Sequence, residues 1–370
     1  MNKHSWDQRF IAAAARFARR HLGQTGENPS VGALIVRFED DGPIIVGRGV
    51  TAIGGRPHAE VQALDEAGSM AKEATAYVIL EPCSHFGKTP PCAHALIKAG
   101  VSRVVVGIKD PDIRVSGNGI AMLCDAGIDV DIIQQDKTFS NVLSSGLSGY
   151  LSRKIRNRPE VTLKLALSKD DAIGREGEGF IPISSALSRE RAHIMRMEHD
   201  AILIGIGTAL ADDPVLTCRL PGLEYRTPIR IVIDASLKIS TSSKLVQSAK
   251  HYPLWIVCSK NVDNQKKKQL EEYGCRLIDF TEKGSQINLN ELLKYLAKEN
   301  ISSVLVEGGC KIAQNFYDLG LCDTIVLFHS QVIIGQNAIK APVFHNLDTA
   351  YSISEINNYQ DDQCIIWRRN

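Results

Sequence analysis

The chain reads as an α/β protein of two successive units, on three observations. Short apolar runs of strand length alternate with segments of helical period along most of the sequence, which implies largely parallel sheets with helices on both faces. Its 370 residues suffice for two ordinary domains, each with its own core. Near the middle, the basic run 151–159 breaks the alternation and ends in Asn157-Arg158-Pro159, which resists helix continuation. Domains at 1–150 and 160–370 follow, with 151–159 as a solvated linker rather than a binding patch.

In the first unit a helix spans about 5–22, with Phe10, Ala13, Ala14 and Phe17 on one face and Gly23 and Gly26 closing it. Strands at 31–37 and 43–50 flank the acidic turn 39–42 and can pair as a hairpin. Pro57 suits the first turn of a helix running through Val61, Leu64 and Ala67 to Gly68. The apolar run 76–80 is a buried strand that delivers Cys83 just past its end, and Pro90-Pro91 opens a helix from Cys92 to Ala99, stopped by Gly100. A strand at 103–108, a helix near 119–126 and a strand at 129–133 complete the unit. The second unit shows strands at 161–167, 201–206, 229–234, 254–258, 304–306 and 324–329, with helices at 188–198, 265–273, 289–299 and 312–319.

The densest chemistry lies in the first unit. His58, Cys83 and Cys92 supply one imidazole and two thiolates, three protein ligands for a tetrahedral zinc whose fourth position stays open to water. Zinc lowers the pKa of such a water to about 7, and Glu60, two residues from the histidine, is the candidate proton shuttle. His-x-Glu followed by Pro-Cys and a second cysteine is the order of zinc-dependent nucleobase deaminases, although Ser84 to Pro91 makes a longer gap than their Cys-x-x-Cys. A structural zinc knuckle, or two unrelated core cysteines, is the alternative. A helix N-terminus at Cys92 favours thiolate.

Composition frames this site. Lys plus Arg number 43 against 42 Asp plus Glu, a formal charge of +1, which argues against a general nucleic-acid footprint. Nine cysteines at irregular intervals do not form a secreted disulfide framework. The polar segment Met1–Asp7 lacks a signal core, and no apolar stretch approaches the roughly 18 residues of a membrane span. A cytoplasmic protein with no membrane or nucleic-acid partner is expected.

Two glycine segments mark the second unit. Glu307-Gly308-Gly309 follows an apolar strand and precedes a helix, an arrangement that presents backbone N–H groups to phosphate. Gly205-Ile206-Gly207-Thr208 also follows a strand. Together they suggest a nucleotide cleft; turn glycines without a ligand are the alternative, and the Rossmann fingerprint is absent.

Longer motifs carry a resemblance over nearly the whole chain. Asn28-Pro29-Ser30-Val31-Gly32, Pro57-His58-Ala59-Glu60 and the run from Glu81 to Cys92 resemble the bifunctional riboflavin-biosynthesis deaminase/reductase family, whose deaminase motif has this long gap between the cysteines. Gly205 to Thr208, Ala211 to Arg219 and Glu307-Gly308-Gly309 are similar to the reductase half of that family. The resemblance implies a cytidine-deaminase-like domain followed by a dihydrofolate-reductase-like domain. It also implies a phosphoribosyl pyrimidine substrate, Zn2+ and NADPH as cofactors, and a homo-oligomer, dimer or tetramer. His58, Cys83 and Cys92 are the implied zinc ligands and Glu60 the shuttle. Asn28, His85 and Lys88 are implied substrate contacts of the deaminase. In the reductase half, Asp212 is implied to be catalytic, and Ser184, Leu216 and Arg219 to meet substrate. Lys164, Ser168, Thr208, Glu307, Gly308 and Gly309 are implied cofactor positions.

Two departures from the family pattern stand out. Asp171 replaces the glycine of Ser-x-Asp-Gly, and Pro182-Ile183-Ser184 replaces an aromatic Trp-Ile-Thr segment. They keep a second reading open, a deaminase whose C-terminal domain serves only dimerisation or regulation. A third, a nucleic-acid-editing deaminase, is disfavoured by the near-neutral charge and by the phosphate-suited loop between the cysteines.

Overall fold

The computed structural model describes residues 3–87, 90–112, 115–133, 142–143, 146–280 and 287–370. It divides into two compact units, Met1–Asn157 and Arg158–Asn370.

The first unit holds a five-stranded sheet of β1 (Gly32–Glu39), β2 (Gly42–Val50), β3 (Thr75–Leu80), β4 (Arg103–Ile108) and β5 (Asp129–Ile132), in the order β2-β1-β3-β4-β5. β3, β4 and β5 run parallel, but β1 is antiparallel to both β2 and β3. The expectation of a largely parallel sheet is corrected here. The tight turn after Glu39 can join its strands only as a hairpin, since a parallel crossover needs a dozen or more residues. Helix Lys3–Ala18 buries Phe10, Ile11, Ala14, Ala15 and Ala18 in the same core as the fully buried residues of β3.

Helix Ala59–Ala67 packs its alanines against β2 at very short range. A Cβ on Gly49 would lie 1.9 Å from the Ala59 carbonyl oxygen, so glycine is required there for the helix to approach. The expected place of Pro57 is also corrected. His58 is the N-cap in an extended conformation, so Pro57 precedes the helix, joined to Arg56 by a cis peptide bond.

The basic run expected as a solvated linker is mostly helical. Helix Ser148–Arg156 belongs to the first unit, with Tyr150 and Ser152 buried and the Tyr150 hydroxyl donating to Asp110 at 3.0 Å. Lys154 pairs with Asp112 at 2.9 Å. Its basic residues lie on one flank of an amphipathic helix, a pattern that charge counting alone reads as solvated.

The second unit contains β6 (Glu160–Leu167), β7 (Ala172–Arg175), β8 (Ala201–Gly205), β9 (Ile229–Ile233), β10 (Leu254–Ser259), β11 (Arg276–Phe280), β12 (Ser303–Val306), β13 (Thr324–His329), β14 (Ala338–Lys340), β15 (Tyr351–Tyr359) and β16 (Asp362–Arg369). Nine of them form one sheet in the order β11-β10-β9-β8-β12-β6-β13-β16-β15, while β7 and β14 pair separately. From β11 to β13 every pairing is parallel. β13, β16 and β15 are antiparallel. The parallel core matches the expectation for this unit, and the antiparallel flank adds to it. β15 escapes apolar-run reading because it is an exposed edge strand rich in Ser, Asn and Glu.

Asp171, the departure from a family glycine, has φ 56 and closes the turn from β6 to β7 by donating its N–H to the Ser168 carbonyl at 3.1 Å. The left-handed conformation that glycine permits is therefore kept by an aspartate, one of the side chains that tolerates it best. Asp171→Gly is expected to hold stability within about 0.5 kcal/mol or raise it, whereas Asp171→Val loses about 1–2 kcal/mol. Thermal unfolding checks this, and equal midpoints for the two variants would contradict the backbone requirement.

Candidate active sites

In the first unit the ends of three elements converge. His58 caps one helix, Cys83 follows β3, and Cys92 starts the helix Cys92–Ala99. Their ligand atoms all lie within 4.8 Å of one another. His58 Nδ1 is 3.2 Å from Cys92 Sγ and 3.7 Å from Cys83 Sγ. Bonds of about 2.3 Å to sulfur and 2.0–2.1 Å to nitrogen place tetrahedral ligands at about this spacing. The donor set fits zinc through Nδ1, which puts the imidazole proton on Nε2, an atom buried without a partner among the described residues.

Charge in this cluster is shared unequally: Cys83 carries the thiolate character, while His58, hydrogen-bonded to it, is pushed up. The Cys92 thiol and His58 both donate to Cys83, which is pushed down to about 4, while Cys92 is pushed up by the same thiol pairing and by burial. The Cys92 N–H also donates to Cys83 Sγ at 3.3 Å. Glu60, on the first turn of its helix, is 4% exposed, and burial raises its carboxyl above the ordinary range. A raised carboxyl suits proton transfer near neutrality.

Glu81 is a support that motif reading passed over. Its buried carboxylate accepts N–H bonds from Gly117 and Gly119, at 3.0 and 3.1 Å, and from Asp110 and Ile120, both at 3.3 Å. Glu81 thereby ties the Pro82-Cys83 turn to the segment that follows β4. Its only sequence signal is its place in Glu81-Pro82-Cys83.

The expected substrate contacts of this unit fall on separate segments of the sequence. Asn28 is half-buried and its side-chain N–H donates to the Gly55 carbonyl at 3.1 Å. His85 is exposed beside Phe86, whose ring meets His94 edge-on at 5.8 Å between centroids. Lys88 lies outside the described residues.

In the second unit the parallel strands bring both glycine segments to one sheet edge. Helix Ile206–Asp212 begins directly after β8, and Glu307-Gly308-Gly309 directly follows β12. Gly309 has φ 44, and a Cβ there would lie 2.9 Å from Thr208 Oγ1, so Thr208 and the glycine pair are in contact. This short approach needs glycine.

Glu307 itself is engaged inside the protein. Arg196 Nε and Nη2 donate to its two carboxylate oxygens at 2.8 and 2.9 Å. Burial pushes the Glu307 carboxyl up, but Arg196 outweighs it and holds the group at about 2. Arg196 also donates from Nη1 to the Thr217 carbonyl at 3.1 Å, so one guanidinium joins the β12 end to the segment 212–219. No motif marked Arg196.

The remaining expected residues fall as follows. Asp212 ends its helix, and burial raises its carboxyl. Leu216 is buried with φ 58, and Arg219 is exposed. Lys164, on β6, has its ammonium 5.5 Å from the Phe328 ring centroid, and burial lowers its pKa. Ser168 is buried and spends its hydroxyl locally, donating to Asp170 at 2.7 Å and accepting from the Ala172 N–H at 2.9 Å. Ser184 precedes helix Ala186–Glu198, with its carbonyl accepting from Arg189. His193, pushed down to about 4 by burial and then by Arg196 and Arg219, shares this region and was not anticipated.

A unit built around a zinc-ready His-Cys-Cys cluster, followed by an α/β unit with glycine-lined strand ends, defines a two-domain enzyme. Residues 4–108 match the cytidine and deoxycytidylate deaminase zinc-binding region, and residues 159–360 match the RibD C-terminal domain. The riboflavin biosynthesis protein RibD of Bacillus amyloliquefaciens is 38% identical over 89% of this chain and 85% of its own length. Its namesakes from Aquifex aeolicus and Escherichia coli are 35% and 34% identical, covering 98% and 97% of this chain and 98% of theirs. Among solved structures, Acinetobacter baumannii RibD superposes with a TM-score of 0.86 at 29% identity over the whole of both chains. A diaminohydroxyphosphoribosylaminopyrimidine deaminase/5-amino-6-(5-phosphoribosylamino)uracil reductase from Thermotoga maritima superposes at 0.83 with 27% identity, also over both whole chains. The chain belongs to the RibD family of riboflavin biosynthesis proteins. It is a bifunctional enzyme, a zinc-binding deaminase joined to an NADPH-dependent reductase.

The Arg196–Glu307 pair carries a pH signature. Because the folded carboxyl titrates near 2 instead of the ordinary 4.5, its stabilisation is full above about 4.5 and is lost as pH falls toward 2. Glu307→Gln is expected to cost about 3 kcal/mol at pH 7, since it strands a buried guanidinium. Urea unfolding at pH 7 and pH 2.5 checks this: the gap between wild type and variant should shrink at the lower pH, and a constant gap would rule the charge pairing out as its source.

Proposed function

We propose that this chain catalyses two consecutive steps: hydrolytic deamination of 2,5-diamino-6-(5-phosphoribosylamino)pyrimidin-4(3H)-one, then reduction of the ribosyl side chain of the aminouracil product to ribityl. The observation that carries the reading is the meeting of His58, Cys83 and Cys92 around one point with Glu60 buried beside them. The Thermotoga maritima protein is a deaminase/reductase of the same two pyrimidines, which supports this reading.

In deamination His58 Nδ1 and the two sulfurs hold the metal. Zinc there supplies Lewis acidity that lowers the pKa of a bound water to about 7. Glu60 accepts a proton from the attacking water and passes it to the pyrimidine ring nitrogen, then takes the proton of the added hydroxyl and delivers it to the departing amine, so one water adds and one ammonia leaves. Its burial-raised pKa matches that alternation of states. Asn28 offers an amide to the pyrimidine or ribose, and His85 and Lys88 offer ring and ammonium N–H donors to the phosphate.

In reduction, NADPH supplies the hydride. Thr208, Gly308 and Gly309 form the cradle for it, with Lys164 beside them on β6. Asp212 keeps its proton more readily than an exposed aspartate and delivers it to the opening sugar oxygen. Arg219 gives the phosphate a planar fork. Ser184 and Leu216 complete the substrate side. The structure spends the Ser168 hydroxyl and the Glu307 carboxylate internally, so these two act by shaping the strand ends. We place the enzyme in the cytoplasm as a homo-oligomer, a reading supported by nine free cysteines and by the family resemblance. No helix among the described residues is long and apolar enough to cross a membrane.

Glu60→Gln is expected to lower deamination by at least about 1,000-fold, with zinc content and NADPH-dependent reduction of the aminouracil unchanged. Ammonia release, metal analysis and absorbance of NADPH check the three parts. Persistent deamination with zinc bound would remove Glu60 as shuttle, and failure of wild type to oxidise NADPH with the deaminated product would remove the second activity.

A further inference from the structure

Arg230 lies on β9, an interior strand of the large sheet, and is 0% exposed. A buried guanidinium ordinarily faces a carboxylate. Among the described residues none pairs with this one. Nη1 donates to the Val215 carbonyl at 3.1 Å and to the Ser248 hydroxyl at 2.8 Å. Nη2 donates to the Ser248 carbonyl at 3.4 Å and to the Tyr252 carbonyl. The guanidinium carbon is 5.7 Å from the Tyr252 ring centroid. Burial lowers its pKa to about 10, which leaves it charged at neutral pH. The cation is thus held by carbonyl dipoles from the segments around Val215 and Ser248, which no sheet ladder connects.

The bond to Val215 lies immediately before Leu216, whose φ is 58. Immediately after Leu216, the Thr217 carbonyl is held by Arg196. A leucine persists in the left-handed region only where its surroundings over-determine it, and here each flanking carbonyl accepts from an arginine, Arg230 fully buried and Arg196 half-buried. Leu216 and Thr217 are both buried, so the clamped backbone lies inside the unit next to the exposed Arg219.

We propose that Arg230 is a positioning residue of the reductase, which fixes the Leu216 backbone through the Val215 carbonyl and so sets where the phosphoribosyl substrate binds. The inference rests on the reading of 212–219 as the substrate segment. Arg230 acts from the sheet interior, through the loop, while the cofactor cradle lies on Thr208 and the glycine pair.

The test is steady-state NADPH oxidation by the full chain given the deaminated aminouracil phosphate. In Arg230→Met, KM for the pyrimidine is expected to rise about tenfold or more, and in Arg230→Lys, which keeps the charge but not the fork, by about threefold. KM for NADPH and the deaminase rate should stay within about twofold. Both KM values moving together, or a lower melting temperature with neither KM changed, would overturn the proposal. If Arg230→Met fails to fold, Ser248→Ala decides, since it removes one Nη1 partner at a half-buried position: a rise in pyrimidine KM supports the role and an unchanged value overturns it. Arg219→Met separates the two levels. An unchanged KM there defeats the substrate-segment reading and this inference with it, whereas a raised KM alongside insensitive Arg230 variants defeats the positioning role alone.

Discussion

The parallel insertion of β12 between β8 and β6 is the constraint on which the reductase half depends. Val306 stands opposite Leu203 on one side and Leu163 on the other, with all three fully buried. Parallel strands end at the same edge, so this register delivers Gly205, Glu307 and Ser168 to one rim of the sheet. A slip of one residue would invert every side chain on β12. Glu307 would then leave Arg196, and the link from the β12 end to Thr217 would be lost. The apolar ladder supports the polar site at its end.

The deaminase half uses the same device with different endings. β3 is buried along its whole length and stops just short of Cys83, while two helices start at His58 and Cys92. The Cys92 N–H at one helix start donates to Cys83 Sγ and favours thiolate there, while Cys92 itself is pushed up by its pairing with Cys83 and by burial. Glu81 adds a buried carboxylate whose charge is met by backbone donors instead of a cation. Such an arrangement fixes the turn before Cys83 without placing a competing positive charge next to the metal.

The second unit relies instead on arginines, Arg230 fully buried and Arg196 half-buried. Arg196 joins a carboxylate to a backbone carbonyl, and Arg230 joins carbonyls alone. Both reach the segment that carries Leu216. A guanidinium has five donors in a fixed plane and can tie several acceptors at once, which a lysine on the same strand could not do. Asp171 shows the opposite economy, a family glycine replaced without loss of the turn, because aspartate tolerates the left-handed backbone.

By itself the sequence determined the alternation of strands and helices, the α/β class and the succession of a zinc-binding deaminase by a reductase. Those features are local: apolar runs, helix stops and His-Glu-Cys spacing are each visible in a short window. β4 and β13, buried strands with strong apolar runs, were legible to their ends. The tertiary structure decided the antiparallel pairing of β1 with β3, the hairpin of β15 and β16, and the helical course of the basic run from Leu151 to Arg156. It also decided that Ser168 and Glu307 are spent on internal bonds, and that Arg196, Arg230 and Glu81 hold the sites in place. Those residues act on partners far along the chain, Glu307 lying 111 positions from Arg196. Such pairings leave no periodicity or spacing to read, because folding alone brings the two ends together.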